Sequence, residues 1–445
     1  VMIITYYWPP SGGIGVHRCL KFAKYLRLFG WEPVVFTAKN AQYPVFDKTN
    51  EKHIPDGLEV HQIPIFEPFS LFKKLSGRKP DASANPVYLR DKKRSWIDEL
   101  AIWIRGNFFI PDARSLWIQP AVRYISNYLK KENNIDAVFS DGPPHTNTRI
   151  ATHISRKFNI PWVADFPDPW TQVDYYKLLK ISPIADRIHK KMEQEVFRIA
   201  DRITIASPTW AEEIKEIGAR NADVLYYGFD EQDFQEMELS EEESEILKVL
   251  RDKFIVTHAG LLGSDRFPKT FLDVISELSL GNEAFSENLL LYLPGDVDFL
   301  IKNYIQDIGL SGNTVYPGYV SKNIAIESMI RSHILLLPLN IAKNARGRLP
   351  GKVYEYMRSY TPVLALGPEN SDVEKILDES GTGECKTYDD HEGIRSFIKK
   401  HFEFYQKGKK PGDQKLEKIQ EYSVENQTRK LADILNDIYD SGKEI

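Results

Sequence analysis

The stretch NARGRLPGKVYEYMRSYTPVLALGPENSDVEKIL, Asn344–Leu377, holds a punctuated loop, a helix, a short apolar strand, a second glycine loop and the start of another helix. VLAL, Val363–Leu366, is apolar at every position, as a strand covered on both faces must be. Pro350 suits a helix start, where its missing N–H costs nothing. A strand fed by one helix and leading into another is the repeat of a parallel α/β sheet. Loops at the carboxyl ends of such strands bind ligands. The spacing therefore aims the N–H groups of Gly351 and its neighbours at an anion, and Lys352 adds charge. Glu355, one turn on, is placed to accept hydrogen bonds from a ribose diol. A second anion site is expected at Gly367–Asp372.

The same alternation runs outward in both directions. Strands are predicted at Val1–Thr5, Pro33–Thr37, Leu58–Gln62, Ala137–Ser140, Trp162–Asp165, Arg202–Ala206 and Val224–Tyr227. A second series follows at Phe254–Ala259, Leu289–Pro294, Val315–Tyr316, Ile334–Pro338 and Val363–Leu366. Two series in 445 residues imply two doubly wound, Rossmann-like α/β domains. The boundary is expected in the acidic stretch beginning at Asp230, giving domains 1–230 and 231–420. Residues 421–445 form a helix with Ser423 as its cap. Its apolar side, Val424, Leu431, Ile434, Leu435 and Ile438, requires a surface.

A net charge of -5 argues against a general nucleic-acid binder. Cys19 and Cys385 lie in opposite halves and read as two reduced thiols. No apolar run reaches the roughly 18 residues of a membrane span. The start of the chain lacks the layout of a signal peptide. A cytoplasmic protein is expected, with peripheral membrane contact left open.

Near the start, YYWPPSGGIGVHR, Tyr6–Arg18, separates the first strand from its helix. Gly12, Gly13 and Gly15 permit positive φ and close approach of a ligand. Arg18 stands where a dinucleotide fingerprint needs Gly or Ala, and no acidic ribose binder ends the second strand. That leaves a substrate loop or a structural tight turn. In HAGLLGSDRFPK, Arg266 and Lys269 stand at a helix entrance and suit a diphosphate; a solvated loop is the plainer alternative. SDGPPHTNT offers His145, and ADFPDPWT offers Asp165 and Asp168. A His–Asp pair can act as acid or base, against loop-fixing hydrogen bonds.

The ordered set YYWPPSGG, DFPDPW and PGKVYEYM resembles the bacterial branch of family-four glycosyltransferases over nearly the whole chain. The resemblance implies GT-B architecture: two Rossmann-like domains facing a cleft, with the C-terminal helix crossing back to the first. The first domain would hold the acceptor, a glycan or lipid-linked molecule. The second would hold a UDP- or GDP-linked sugar, with no other cofactor. Glu355 matches the second of the family's paired glutamates, the ribose binder. Arg266 matches the basic residue at the diphosphate, and Gly13 and Gly15 match the loop at the transferred sugar. Gly347 stands where the first glutamate would fall, Tyr227 where an asparagine is usual, and Pro167 where this branch carries a basic residue.

The implied activity is a retaining, hexosyltransferase-type reaction in bacterial surface polysaccharide or glycan biosynthesis. Arg266, Lys352, His145 and Asp168 are the candidate catalytic residues. Gly13, Gly15, Arg266, Lys269, Gly351, Lys352 and Glu355 are the candidate donor-binding ones. No metal is expected, although DVD at Asp296–Asp298 resembles a chelating motif. A non-catalytic nucleotide-sugar or glycan-binding subunit and a nucleotide-sugar epimerase remain as alternatives. An insertion near 66–118 is aromatic and basic, with Lys73, Lys74, Arg78, Lys79, Lys92, Lys93 and Arg94 among Phe69, Phe72, Trp96 and Trp103. That mixture suits an anionic membrane surface or an amphipathic hairpin packed on the first domain.

Overall fold

The computed structural model describes residues 1–67, 96–132, 134–235, 237–342, 344–409 and 411–443. The chain forms two units, Val1–Tyr226 with Gln427–Ile445, and Tyr227–Asn426. In the first, β1 (Met2–Ile4), β2 (Val34–Lys39), β3 (Glu59–Pro64), β4 (Val138–Asp141), β5 (Trp162–Phe166), β6 (Arg202–Ile205) and β7 (Asp223–Val224) make one parallel sheet. Its order is β3-β2-β1-β4-β5-β6-β7. In the second, β8 (Phe254–Thr257), β9 (Leu289–Pro294), β10 (Thr314–Gly318), β11 (Ile334–Pro338), β12 (Val363–Leu366) and β13 (Gly383–Lys386) are ordered β10-β9-β8-β11-β12-β13. Strand order reverses beside β1 and β4, and again beside β8 and β11. Those reversals open the crevices that α/β sheets use for ligands.

The helices used below are α1 (Ile14–Tyr25), α2 (Trp96–Phe108), α3 (His145–Phe158), α4 (Pro183–Ile199), α5 (Lys269–Gly281), α6 (Lys352–Arg358), α7 (Asp372–Ser380) and α8 (Val424–Lys443). Successive strand residues point to opposite faces, so each sheet has two cores. In the first unit Met2, Ile4, Val138, Trp162 and Ala164 pack with Trp117, Ile150 and Val196. On the other face Val1, Ile3, Val35 and Phe139 meet Leu20 and Phe22 of α1 and Leu431, Leu435 and Ile438 of α8. This is the surface α8 needs. Ser423 Oγ accepts the Asn426 N–H at 3.2 Å near the start of α8. Each of the buried leucines contributes about 1.5–3 kcal/mol.

The division falls at Tyr226–Tyr227, ahead of the acidic stretch expected to link the domains. That stretch is packed into the second unit. Ser240 and Glu243 form a capping box. Leu247 and Leu250 are buried against Ile255, Leu290 and Tyr292. Strand β13 was not expected. GECK has no apolar run and lies half-buried at a sheet edge. A Cβ on Gly383 would stand 2.1 Å from the Val363 carbonyl oxygen, so this pairing requires glycine. Among the described residues no helix is long and apolar enough to cross a membrane.

Candidate functional site

In the second unit the loops behind β8 and β11 meet at the strand-order reversal. Behind β8 come His258, Ala259 and Gly260; behind β11 the chain passes a tight turn at Ala345–Gly347 to Pro350, Gly351 and α6. Lys352 Nζ lies 3.3 Å from His258 Nε2. It is also 3.1 Å from where a Cβ on Gly260 would stand. Gly260 has φ +104, and a Cβ on Gly295 would fall 2.5 Å from the Gly260 carbonyl oxygen. The strand ends converge too closely here for side chains.

His258 Nδ1 lies 2.8 Å from the Leu336 carbonyl oxygen, a contact that requires an N–H donor. Nε2 in turn lies 3.2 Å from the Leu261 carbonyl oxygen besides facing Lys352, so the ring is held between two carbonyls. Burial, with Lys352 adding to it, brings the ring down to about 3, so it is neutral. The Lys352 amine is itself brought down to about 7, by burial and then by Arg266, with Glu355 opposing. Lys352 therefore poises between charged and neutral near pH 7. The Glu355 carboxylate, one turn into α6, is half-buried and makes no hydrogen bond or ion pair with a described residue. Val353 N–H donates to Pro350 O and Tyr354 N–H to Gly351 O. The N–H groups of Gly351 and Lys352 stand ahead of that ladder, in the part of a helix where donors face outward.

Arg266 ends a short turn at Ser264–Arg266 and forks onto its neighbour Asp265, with Nε–Oδ1 3.1 Å and Nη2–Oδ2 3.0 Å. Lys269 does not join this group. Its Nζ lies 2.8 Å from Asp273 Oδ2, one turn along α5, and 4.9 Å from the Tyr304 ring centre. A carboxylate at i+4 captures the ammonium. The expected second anion site at Gly367–Asp372 is also corrected. Ser371 Oγ accepts the Glu374 N–H, and the Glu374 carboxylate accepts the Asn370 N–H. The start of α7 is filled by its own acidic residues, which disfavour a further anion. Asp298 Oδ1 accepts the Leu300 N–H at 2.8 Å as a helix cap. Among the described residues no group of three or more His, Cys, Asp or Glu is placed to hold a metal ion. Gly347 is buried, and both amide atoms of nearby Asn344 are buried with no hydrogen-bond partner among the described residues.

In the first unit, the glycine loop behind β1 and the loop behind β4 flank the corresponding reversal. Gly13 has φ +81 and ψ 174, which side chains rarely tolerate, and open space where its Cβ would be. Gly15 has a different reason: its Cβ would stand 3.1 Å from Tyr7 Cδ2. The family resemblance assigns both glycines to a ligand, whereas Gly15 also makes room for the Tyr7 ring. His145 opens α3 and stacks on Trp170, with 4.2 Å between centroids and 6° between planes. Burial brings it down to about 3, and Nδ1 is buried with no partner. The expected His145–Asp168 acid–base pair does not form. His145 is a neutral ring flat on an indole, and Asp168 lies in the loop behind β5, half-buried. Arg18, which breaks the dinucleotide fingerprint, forks onto Asp165 at 2.6 and 2.8 Å and donates to the carbonyls of Leu225 and Tyr226. Thr204 Oγ1 also donates to Asp165 at 2.6 Å. Asp165 thus ties strands together.

The structure brings Arg266, Gly351, Lys352 and Glu355 together. Gly13, Gly15 and His145 flank the first unit's reversal, and Asp168 is one strand further out. Sequence reasoning missed His258 and Asp265. The signals were a histidine directly behind an apolar strand and an aspartate adjacent to the arginine. Lys73, Lys74, Arg78, Lys79, Lys92, Lys93, Arg94, Phe69 and Phe72 lie outside the described residues.

No protein-family profile and no curated protein matches the sequence. Solved structures do match along the whole chain. HepE of Anabaena with bound UDP has 14% identity and a TM-score of 0.60, over 98% of this chain and 99% of that one. The sucrose-phosphate synthase of Thermosynechococcus elongatus has 13% identity and a TM-score of 0.62, over 99% of each chain. A UDP-forming trehalose-phosphate synthase of Burkholderia vietnamiensis has 9% identity and a TM-score of 0.63, over 99% of each. At such identities the likeness is one of fold: two Rossmann-like α/β domains of the GT-B type, as their two parallel sheets require.

Proposed function

We propose that the protein is a glycosyltransferase. It moves a hexose from a UDP- or GDP-linked donor to a hydroxyl acceptor, with retention and without a metal, in glycan or surface-polysaccharide assembly. The observation that carries this reading is the group at the β8/β11 reversal. There a poised lysine, an arginine and a carboxylate that bonds no described residue lie within one loop cluster. The departing nucleotide diphosphate develops negative charge, which preorganised donors stabilise. Lys352 takes up a proton and meets that charge beside the His258 ring. Arg266 turns from Asp265 to the phosphates. Glu355 accepts from the ribose hydroxyls, and the Asn344 amide addresses the sugar in place of the glutamate absent at Gly347. Known binders fit this reading: HepE has been solved with UDP and with UDP-glucose.

The acceptor side is the first unit, with Gly13 and the His145–Trp170 stack as its walls. A peripheral position at a cytoplasmic, anionic membrane face belongs to the same proposal. Trp96, Leu100 and Trp103 are exposed on one side of α2. On α4, which touches α2, exposed Ile184 and Ile188 share a face with exposed Arg187 and Lys191. Mixed aromatic, aliphatic and cationic groups suit headgroups.

The test is a thermal-shift panel of nucleotide sugars, followed by nucleotide release with the best donor, with and without EDTA. Arg266→Ala and Lys352→Ala should each lose about a hundred- to a thousandfold in turnover. Stabilisation without nucleotide release would leave a non-catalytic binder. Sugar inversion without release would mean an epimerase. Activity abolished by EDTA and restored by manganese would overturn the metal-free chemistry.

A further inference from the structure

We propose that the first unit carries an oxyanion subsite for the acceptor, built on Arg105 and Arg114 and taking a phosphate group. The proposal rests on the transferase reading for its biological meaning, but not for its chemistry.

Arg105 lies in the last turn of α2, and Arg114 follows in the loop beyond it. The helix is held in place: a Cβ on Gly106 would stand 2.5 Å from the Leu179 carbonyl oxygen, so α2 packs directly on that backbone. Arg105 and Arg114 share their electrostatic surroundings, namely Tyr7, Glu67 and Asp112. Arg114 is buried and lies over the ring of Tyr6, 4.8 Å from its centre. Tyr6 and Tyr7 belong to the loop behind β1, and Asp112 reaches the first turn of α3. The cluster therefore sits at the carboxyl edge of the first sheet, where ligands of α/β folds bind.

Both nearby carboxylates are already committed. Glu67 Oε1 accepts from Tyr6 Oη at 3.0 Å, and Oε2 from the Gln42 N–H at 2.8 Å. Asp112 accepts from the Thr146 N–H, from Thr146 Oγ1 and from the Arg114 N–H, all at 2.8–2.9 Å. Arg114 Nε is 3.7 Å from Glu67 Oε1, too far for a hydrogen bond, and is buried without another partner. Arg105 makes no hydrogen bond or ion pair with a described residue. Burial, then the like charge of Arg114, lowers its pKa to about 10. A half-buried guanidinium beside a second one, with no hydrogen bond or ion pair to a described residue, is offset only by the more distant Asp112 and Glu67 charges and keeps its donors free. The group that completes it has two or more acceptor oxygens and negative charge. Phosphate matches the guanidinium fork.

The subsite is isolated from the second unit's cations by working in R266A/K352A protein. Inorganic phosphate should raise its melting temperature. Adding R105Q should weaken phosphate binding about tenfold or more, and R105K should retain part of it. Since Arg105 bonds no described residue, melting without phosphate should not fall. A phosphate effect that persists in R105Q, or none in the R266A/K352A protein, overturns the subsite. Hexose 6-phosphate and phosphatidylglycerol vesicles, each with and without R105Q, assign the source. Dependence on Arg105 for the first marks a soluble acceptor, and for the second a lipid-borne one; dependence in neither overturns the acceptor assignment. UDP and GDP binding, measured with R105Q alone, should be unchanged. Its absence in the unaltered protein would sink the transferase reading and leave the phosphate result standing.

Discussion

Lys352 Nζ stands 3.3 Å from Nε2 of His258, a ring held between the Leu336 and Leu261 carbonyls. With its pKa near 7, Lys352 is mostly neutral at pH 8. A bound diphosphate raises that pKa. Binding then takes up a proton, and affinity falls as pH rises above about 7. Calorimetry at pH 8 in buffers of different ionisation heat should return an uptake approaching one proton with UDP or GDP. Zero uptake would place the phosphates elsewhere.

The same residue should cost the unliganded fold stability. Its folded pKa of about 7 lies below its ordinary 10.5, so the unfolded chain binds more protons between those values. Stability from this group therefore rises with pH across that window. Lys352→Met should stabilise the protein at pH 6, on the order of 1–3 kcal/mol, with the advantage fading toward pH 10. Urea titrations at both pH values check the sign; an equal effect at both would show that Lys352 is not depressed.

Glu355→Ala should weaken nucleotide binding by about 1.5–3 kcal/mol, the worth of hydrogen bonds to a charged group. Folding stability should stay put, since the carboxylate bonds no described residue. Unchanged affinity for the nucleotide would remove Glu355 from the ribose.

Arg18→Met should be a folding mutation. It strands the buried Asp165 carboxylate and frees the Leu225 and Tyr226 carbonyls. Breaking one half of a buried pair costs about 3–5 kcal/mol. A drop in ligand affinity with an unchanged denaturation midpoint would contradict this assignment.

Much of the fold was legible because parallel strands buried on both faces read as uninterrupted apolar runs: β9, β11 and β12 have the predicted bounds. Strand β13 was illegible because an edge strand needs no such run. The grouping of Lys352 and Glu355 at the start of α6 was legible, because helix spacing fixes direction. Lys269 and His145 were misread for a common reason: a sequence names a charge or a ring but not its captor. Asp273 and Trp170 decide those two. The reverse holds for Arg105, conspicuous only once its lack of a partner among the described residues is seen.

Trp96, Leu100 and Trp103 replaced by glutamine should reduce sedimentation with phosphatidylglycerol vesicles, as should raising the salt. Their exposure means that the melting temperature should hardly change. Equal sedimentation of variant and parent would make α2 an ordinary solvent face.

Because α8 belongs to the first unit while the whole second unit precedes it in the chain, the order of synthesis on the ribosome matters. Ile3, Val35 and Phe139 are made before the second unit, yet Leu431, Leu435 and Ile438, which cover them, are made after it. The first unit must wait with an uncovered sheet face while the second is translated. A stop ahead of Leu431 would strand that apolar face permanently, making it a target for chaperones and proteases although every candidate site residue had already been made.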